Sequence, residues 1–209
     1  MPKIEEANTN FEGIKVACVG DSLTYGTTLL NRKKDCYPAR LQKMLGDKFN
    51  VLNLGMEGIT VSSYSAKYWG QRAMINTLET YMPNYIILLL GTNDARIKNW
   101  TDEDVFKKEF TKLINYLKGL SFMPHLLVMT PPNSFKPLEH DDMDFDVELL
   151  KKIVDIQRSV LKELNVKYVD IFSMTQNKEH LFSIDKLHLN SKGAKFIAYE
   201  AFLHLKNIT

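Results

Sequence analysis

Val19-Gly20-Asp21-Ser22-Leu23-Thr24-Tyr25-Gly26 (VGDSLTYG) closes an apolar run, Ile14–Val19, and turns it through a Gly-Asp-Ser cluster into a new segment. Gly, Asp and Ser gather at strand ends because each suits a turn, so Ser22 reads equally as a turn residue until the rest of the chain is considered. Four further short runs rich in Val, Ile and Leu resemble the first: Val51–Leu54, Tyr85–Leu90, Leu126–Met129 and Val166–Ile171. All five read as strands. Helical spacing fills the intervals. Phe106, Phe110, Leu113, Leu117 and Leu120 recur at steps of four and three behind Thr101, an expected N-cap. A second stripe (Val147, Leu150, Val154, Leu161, Leu164) spans 146–164, and a third (Ala194, Ile197, Ala198, Ala201, Leu205) follows Asn190-Ser191 as a cap.

Strands that alternate with helices and are apolar on both faces predict a parallel sheet covered on both sides, a three-layer α/β/α sandwich with five strands. The 209 residues, 44% of them apolar, suffice for a sizeable core, and without a repeat or Gly/Ser linker a single domain over 1–209 is expected. Lys and Arg total 27 against 25 acidic residues, a net charge of +2 with no basic cluster interleaved with aromatics, so a nucleic-acid partner is not expected. The polar N-terminus and the absence of a long apolar run predict no signal segment or membrane span, and a cytoplasmic location. Cys18 and Cys36 form no C-x-x-C pair and read as structural free thiols. The segment after the fourth run, Pro131 to about Phe145, is long enough to suggest function.

In open α/β sheets ligands bind outside the carboxyl ends of the strands, which makes the residues after each run informative. They are Gly20-Asp21-Ser22-Leu23, Asn53-Leu54-Gly55-Met56-Glu57-Gly58, Gly91-Thr92-Asn93-Asp94 and Thr130-Pro131-Pro132, with Asp185-Lys186-Leu187-His188 ahead of the last helix. The chain resembles the SGNH hydrolase superfamily, also called GDSL esterases/lipases, whose four sequence blocks run here in order from Gly20 to His188. Ser22, Gly58, Asn93 and His188 match the four residues of the family's name, and Asp185 matches its third triad member. The resemblance implies a flavodoxin-like sheet in the order 2-1-3-4-5 and ester hydrolysis without a metal or other cofactor. It also selects Gly58 over Gly55 as the oxyanion glycine. The family's usual glycine after the Asp and proline after the His are here Lys186 and Leu189, which puts the local loop shape in question.

The chemistry gives its own reasons for these residue types. A serine hydroxyl needs a base, and the base needs one fixed tautomer; Asp185 and His188, three apart, can share one face of a turn. Attack on a carbonyl creates an oxyanion, for which the Ser22 N–H, the Gly58 N–H and the Asn93 amide are candidate donors. Asp21 and Asp94 read first as turn-holding carboxylates, Asp21 also as a substrate contact. Further substrate contacts are expected from Trp69 and Trp100, which follow Gly58 and Asn93 and could stack on a sugar, and from His140 in the acidic stretch Glu139–Asp142. The expected partner is a small-molecule or carbohydrate ester with a short acyl group. The competing readings are a lysophospholipase or thioesterase, and a non-enzymatic carbohydrate- or nucleotide-binding module. The latter lacks both G-x-x-x-x-G-K-[ST] and G-x-G-x-x-G. Oligomeric state is not fixed by the sequence.

Overall fold

The computed structural model describes residues 7–135 and 144–206. Five strands, β1 (Ile14–Gly20), β2 (Phe49–Gly55), β3 (Tyr85–Leu89), β4 (His125–Met129) and β5 (Tyr168–Val169), form one sheet in the order β2-β1-β3-β4-β5. Every pairing is parallel. The parallel direction is that expected from the alternation of strands and helices, and the order is the one the family resemblance implies. The edge strand is shorter than expected: β5 pairs with β4 only at Val128↔Tyr168 and Met129↔Val169, and Asp170 then caps a helix through the Ser173 N–H.

The helices are α1 (Ser22–Tyr25), α2 (Arg32–Asp35), α3 (Tyr37–Leu45), α4 (Arg72–Tyr81), α5 (Glu103–Lys118), α6 (Val147–Glu163), α7 (Ile171–Thr175) and α8 (Ser191–Leu205). Asp146 and Asn190 cap α6 and α8 through their side chains. The cap of α5 is Asp102, which accepts from the Val105 N–H at 2.8 Å, and not the expected Thr101. A carboxylate caps as well as a hydroxyl and also meets the positive end of the helix dipole, which favours Asp102 over its neighbour.

Alternate strand residues enter two cores. Ala17, Val19, Ile86 and Leu88 pack under α4, α5 and α6 with Phe106, Phe110, Leu150 and Val154; Val16, Cys18, Ile87 and Leu89 pack under α3 and α8 with Leu41, Ile197 and Ala201. This two-sided burial is the reason the strands are apolar throughout rather than alternating. Cys18 and Cys36 are buried free thiols. Among the described residues no helix is long and apolar enough to cross a membrane.

Candidate active site

The carboxyl edge of the sheet is built by close packing. Gly20 ends β1 where a Cβ would lie 2.2 Å from both the Leu89 carbonyl and the Thr24 hydroxyl, so β1 can turn directly into α1 only through glycine. Asp21 caps α1, its Oδ1 accepting from the Leu23 N–H at 2.9 Å. Ser22 thereby occupies the first helical position, whose N–H has no acceptor within the helix. The Ser22 hydroxyl faces His188 Nε2 at 2.9 Å, and His188 Nδ1 faces Asp185 Oδ2 at 2.6 Å.

The loop that carries Asp185 and His188 is closed locally. Asp185 Oδ1 accepts from the backbone N–H groups of Leu187 (3.1 Å) and His188 (2.9 Å), and the Ser183 N–H donates to the His188 carbonyl at 2.7 Å. Burial works to raise the Asp185 carboxyl, but bonds from the His188 ring and from both N–H groups outweigh it and hold the group below the usual carboxylate range. An ionised Asp185 accepts only, so the proton of a neutral His188 sits on Nδ1 and the Nε2 lone pair faces Ser22. Lys186 takes the left-handed conformation (φ 57°) that glycine favours, so the loop keeps its turn despite the departure from the family pattern. Phe135 N–H and the Ser134 hydroxyl both donate to the Lys186 carbonyl, bracing the turn from the segment after β4.

Gly58 and Gly55 have different reasons for being glycine. The Gly55 N–H is committed to Asn53 Oδ1 at 2.9 Å, and a Cβ there would lie 2.1 Å from the Tyr25 nitrogen. Gly58 sits at φ 77° in the cleft wall beside Ser22 and Asn93, and among the described residues its N–H donates no hydrogen bond. Asn93 follows β3 and is 4% exposed. Its Nδ2 donates to the Ile59 carbonyl at 3.0 Å and its Oδ1 accepts from Arg96 Nε at 3.3 Å. An arginine can only donate, which fixes the orientation of the amide and leaves the second Nδ2 hydrogen uncommitted by these two bonds.

Asp94 secures the same wall: its two oxygens accept from the Val61 and Ser62 N–H groups, each at 2.9 Å. Burial pushes the Asp94 carboxyl up to about 7 against those two bonds, and the Asp21 charge adds to the rise. Burial likewise pushes Asp21 up to about 6, opposed by the bond from the Leu23 N–H. Both are fully buried; Asp21 holds its own turn as expected, whereas Asp94 holds the distant segment at Val61 and Ser62 and not its own turn. Asp21 does not line the cleft, and its expectation as a substrate contact is corrected.

Ser22, Gly58, Asn93 and His188 line one cleft of about 560 Å³, joined by Thr27, Lys67 and Arg96. Neither Trp69 nor Trp100 is among the described residues that line it. Trp69 is 7% exposed and packs on Tyr116 in the core (centroids 5.2 Å apart), while Trp100 packs on Phe106 and faces a separate depression between α5 and α6. Chain distance from a motif did not report direction: the intervening bridge Thr60↔Tyr68 folds Trp69 inward. His140 lies outside the described residues. Arg96, Asn99, whose Nδ2 donates to the Asn93 carbonyl at 2.8 Å, and Lys67 were not singled out from sequence. Isolated basic and amide residues beyond a motif carry no periodic signal.

The sequence profile of the GDSL-like Lipase/Acylhydrolase family matches residues 18–196. An acetylxylan esterase of Xylanibacter ruminicola is 30% identical over 205 residues, which is 90% of this chain and 42% of that protein, so the chain spans under half the length of this relative. Among solved structures, Est24, a carbohydrate acetylesterase from Sinorhizobium meliloti, superposes with a TM-score of 0.78 at 18% identity, covering 94% of this chain and all of Est24. The native aryl esterase of M. smegmatis superposes at 0.76 with 18% identity, covering 94% and 100%. At such identities the structural likeness speaks for the fold, while the profile match over most of the chain speaks for descent: the chain belongs to the GDSL-like lipase/acylhydrolase family.

Proposed function

We propose that this chain is a serine esterase that removes short acyl groups, acetyl above all, from small-molecule or carbohydrate esters through an acyl-serine intermediate. The observation that carries the proposal is the unbroken series Asp185–His188–Ser22 facing a cleft whose other wall presents Gly58 and Asn93. Ser22 Oγ attacks the ester carbonyl carbon while His188 Nε2 takes the hydroxyl proton. Asp185 stays ionised and supports the imidazolium through Nδ1–H. Negative charge on the former carbonyl oxygen is met by the Ser22 N–H, the Gly58 N–H and the uncommitted Asn93 N–H. Collapse of this intermediate expels the alcohol, which leaves with the proton from His188. Water then adds to the acyl-serine, giving its proton to the same nitrogen, and the carboxylic acid departs as Ser22 regains its hydrogen.

The preference for a short acyl group is supported by the lining of the cleft, where Thr27, Glu57, Lys67, Arg96 and Asn99 stand around the reacting group. A long hydrocarbon chain would have to bury apolar surface against charges. The name of the Xylanibacter relative points the same way. A fluorophosphonate probe is expected to label the parent and to miss Ser22→Ala, whose kcat on p-nitrophenyl acetate falls by on the order of 10⁴ or more. Residual turnover above about a hundredth of the parent rate would overturn the nucleophile. A kcat/KM that climbs steadily from acetate to octanoate would move the enzyme to the lysophospholipase or thioesterase side.

A further inference from the structure

The cleft holds more positive charge than the ester chemistry uses. Lys67 is the key residue, because its main chain is pinned and its ammonium is aimed. The Lys67 carbonyl accepts from both the Thr60 N–H (3.0 Å) and the Thr60 hydroxyl (2.9 Å), and the Trp69 N–H returns to the Thr60 carbonyl at 3.0 Å. From that fixed stem the side chain lies over Gly58: a Cβ built on Gly58 would be 3.8 Å from Lys67 Nζ and 3.7 Å from its Cδ. Among the described residues no carboxylate forms an ion pair with it.

Two further cations line the same cleft, Arg96 and Lys98, and they share one carboxylate, Asp144, at 4.0 and 3.6 Å. Among the described residues Glu57 is the acid that lines the cleft, and it accepts from the Thr27 hydroxyl at 2.6 Å. Among the described residues Lys67 is the one of these three cations that forms no ion pair with a carboxylate. Cations set in a concave wall focus their field on whatever enters. A single compact ammonium suits a singly charged oxyanion, whereas a dianionic phosphate would bring excess charge beside Glu57.

We propose that Lys67, backed by Lys98 and Arg96, is a specificity determinant that receives a carboxylate on the substrate, so that the favoured substrates are acetyl esters of acidic sugars. Because Nζ stands over the glycine assigned to the oxyanion, the carboxylate belongs within about one sugar ring of the reacting carbonyl. This deepens the esterase reading above and rests on it.

The test is a matched pair that differs only in charge, an O-acetylated methyl glucuronoside as its free acid and as its neutral 6-methyl ester, with p-nitrophenyl acetate as a third substrate. In the parent, kcat/KM is expected to favour the acid about two- to fivefold, chiefly through KM, as one partly exposed ion pair allows. The preference should shrink as salt rises from about 0.05 to about 0.5 M. Lys67→Gln should abolish the acid-to-ester ratio and Lys67→Arg should keep it. A parent ratio at or below one overturns the proposal. So does a ratio that Lys67→Gln leaves unchanged while lowering kcat on acid and methyl ester alike, since Lys67 would then serve the oxyanion and not the substrate's charge. Parent enzyme inactive on all three substrates would overturn the esterase reading itself, and this proposal with it.

Discussion

The carboxylates at the sheet's edge, Asp21 and Asp94, and the one in the loop before α8, Asp185, share a side chain and a neighbourhood but stand in opposite electrostatic states. The first two are completely buried, meet backbone N–H groups, and are pushed up to about 6 and about 7 by loss of solvent. Asp185 keeps 23% of its side chain exposed, faces an imidazole, and is held low. A buried carboxylate without a cation is costly to ionise, so its value lies in the backbone groups it satisfies. A partly exposed carboxylate against a histidine remains an anion at little cost and can orient a base. Asp94 therefore belongs to the architecture of the wall that carries Gly58, and Asp185 to the chemistry proposed for Ser22.

The comparison breaks if variants fail to separate the two roles. The largest effect is expected at Asp185→Asn, where kcat on p-nitrophenyl acetate should fall by on the order of 10²–10⁴, the range for general-base catalysis, while the urea midpoint moves little. A loss of stability without a loss of rate would reverse the assignment. Asp94→Ala should show the converse signature. It leaves the Val61 and Ser62 N–H groups buried and unmatched at about 1–3 kcal/mol each, enough to lower Tm by roughly 5 °C or more. A Tm within about a degree of the parent would show that water or a shifted loop satisfies those groups.

Titration sharpens the contrast, because the two kinds of carboxylate bend stability in opposite directions. Asp21 and Asp94 bind protons more tightly folded than unfolded, so their contribution is full below the ordinary 3.8 and is lost as pH rises toward about 6 and about 7. Asp185, shifted down, contributes above 3.8 and loses its contribution as pH falls through its folded value. The chain should resist urea better at pH 5 than at pH 8, and Asp94→Asn should flatten that difference; a parent more stable at pH 8 would contradict the burial effect. The smallest effect is expected at Lys186→Gly. Relief of a left-handed lysine, about 1–2 kcal/mol, is offset by the added freedom of glycine in the unfolded chain, about 0.5–1 kcal/mol. Tm should rise by no more than a few degrees with kcat within about twofold of the parent; a large drop in kcat would mean that the lysine side chain itself shapes the loop.

Much of the fold could be read from local pattern. The first four apolar runs match strands to within two residues at each end, and the three stripes mark the buried faces of α5, α6 and α8, except that Leu120 lies just past the end of α5 and Val147 and Leu164, at the ends of the second stripe, are only half-buried. The short α1, α2 and α7 have too few turns to show a stripe, and β5 is cut short because an edge strand has one neighbour to pair with and Asp170 starts a helix beside it. Asp102 in place of Thr101 as the cap of α5 is an error of the same local kind.

Sequence alone determined the parallel sheet, its two-sided burial, the family, and the residues that meet at its carboxyl edge, because periodicity, motif order and a three-residue spacing are properties of the chain itself. Only the tertiary structure decided which neighbours of those motifs face the cleft. It turned Trp69 and Asp21 into the interior and set Trp100 on another surface, while it brought Lys67 over Gly58 and Arg96 against Asn93. The physical reason is that a side chain's direction outside regular elements is set by backbone bonds closing over many residues, here Thr60 with Lys67 and Asp94 with Val61 and Ser62, and those closures leave no periodic trace in the sequence.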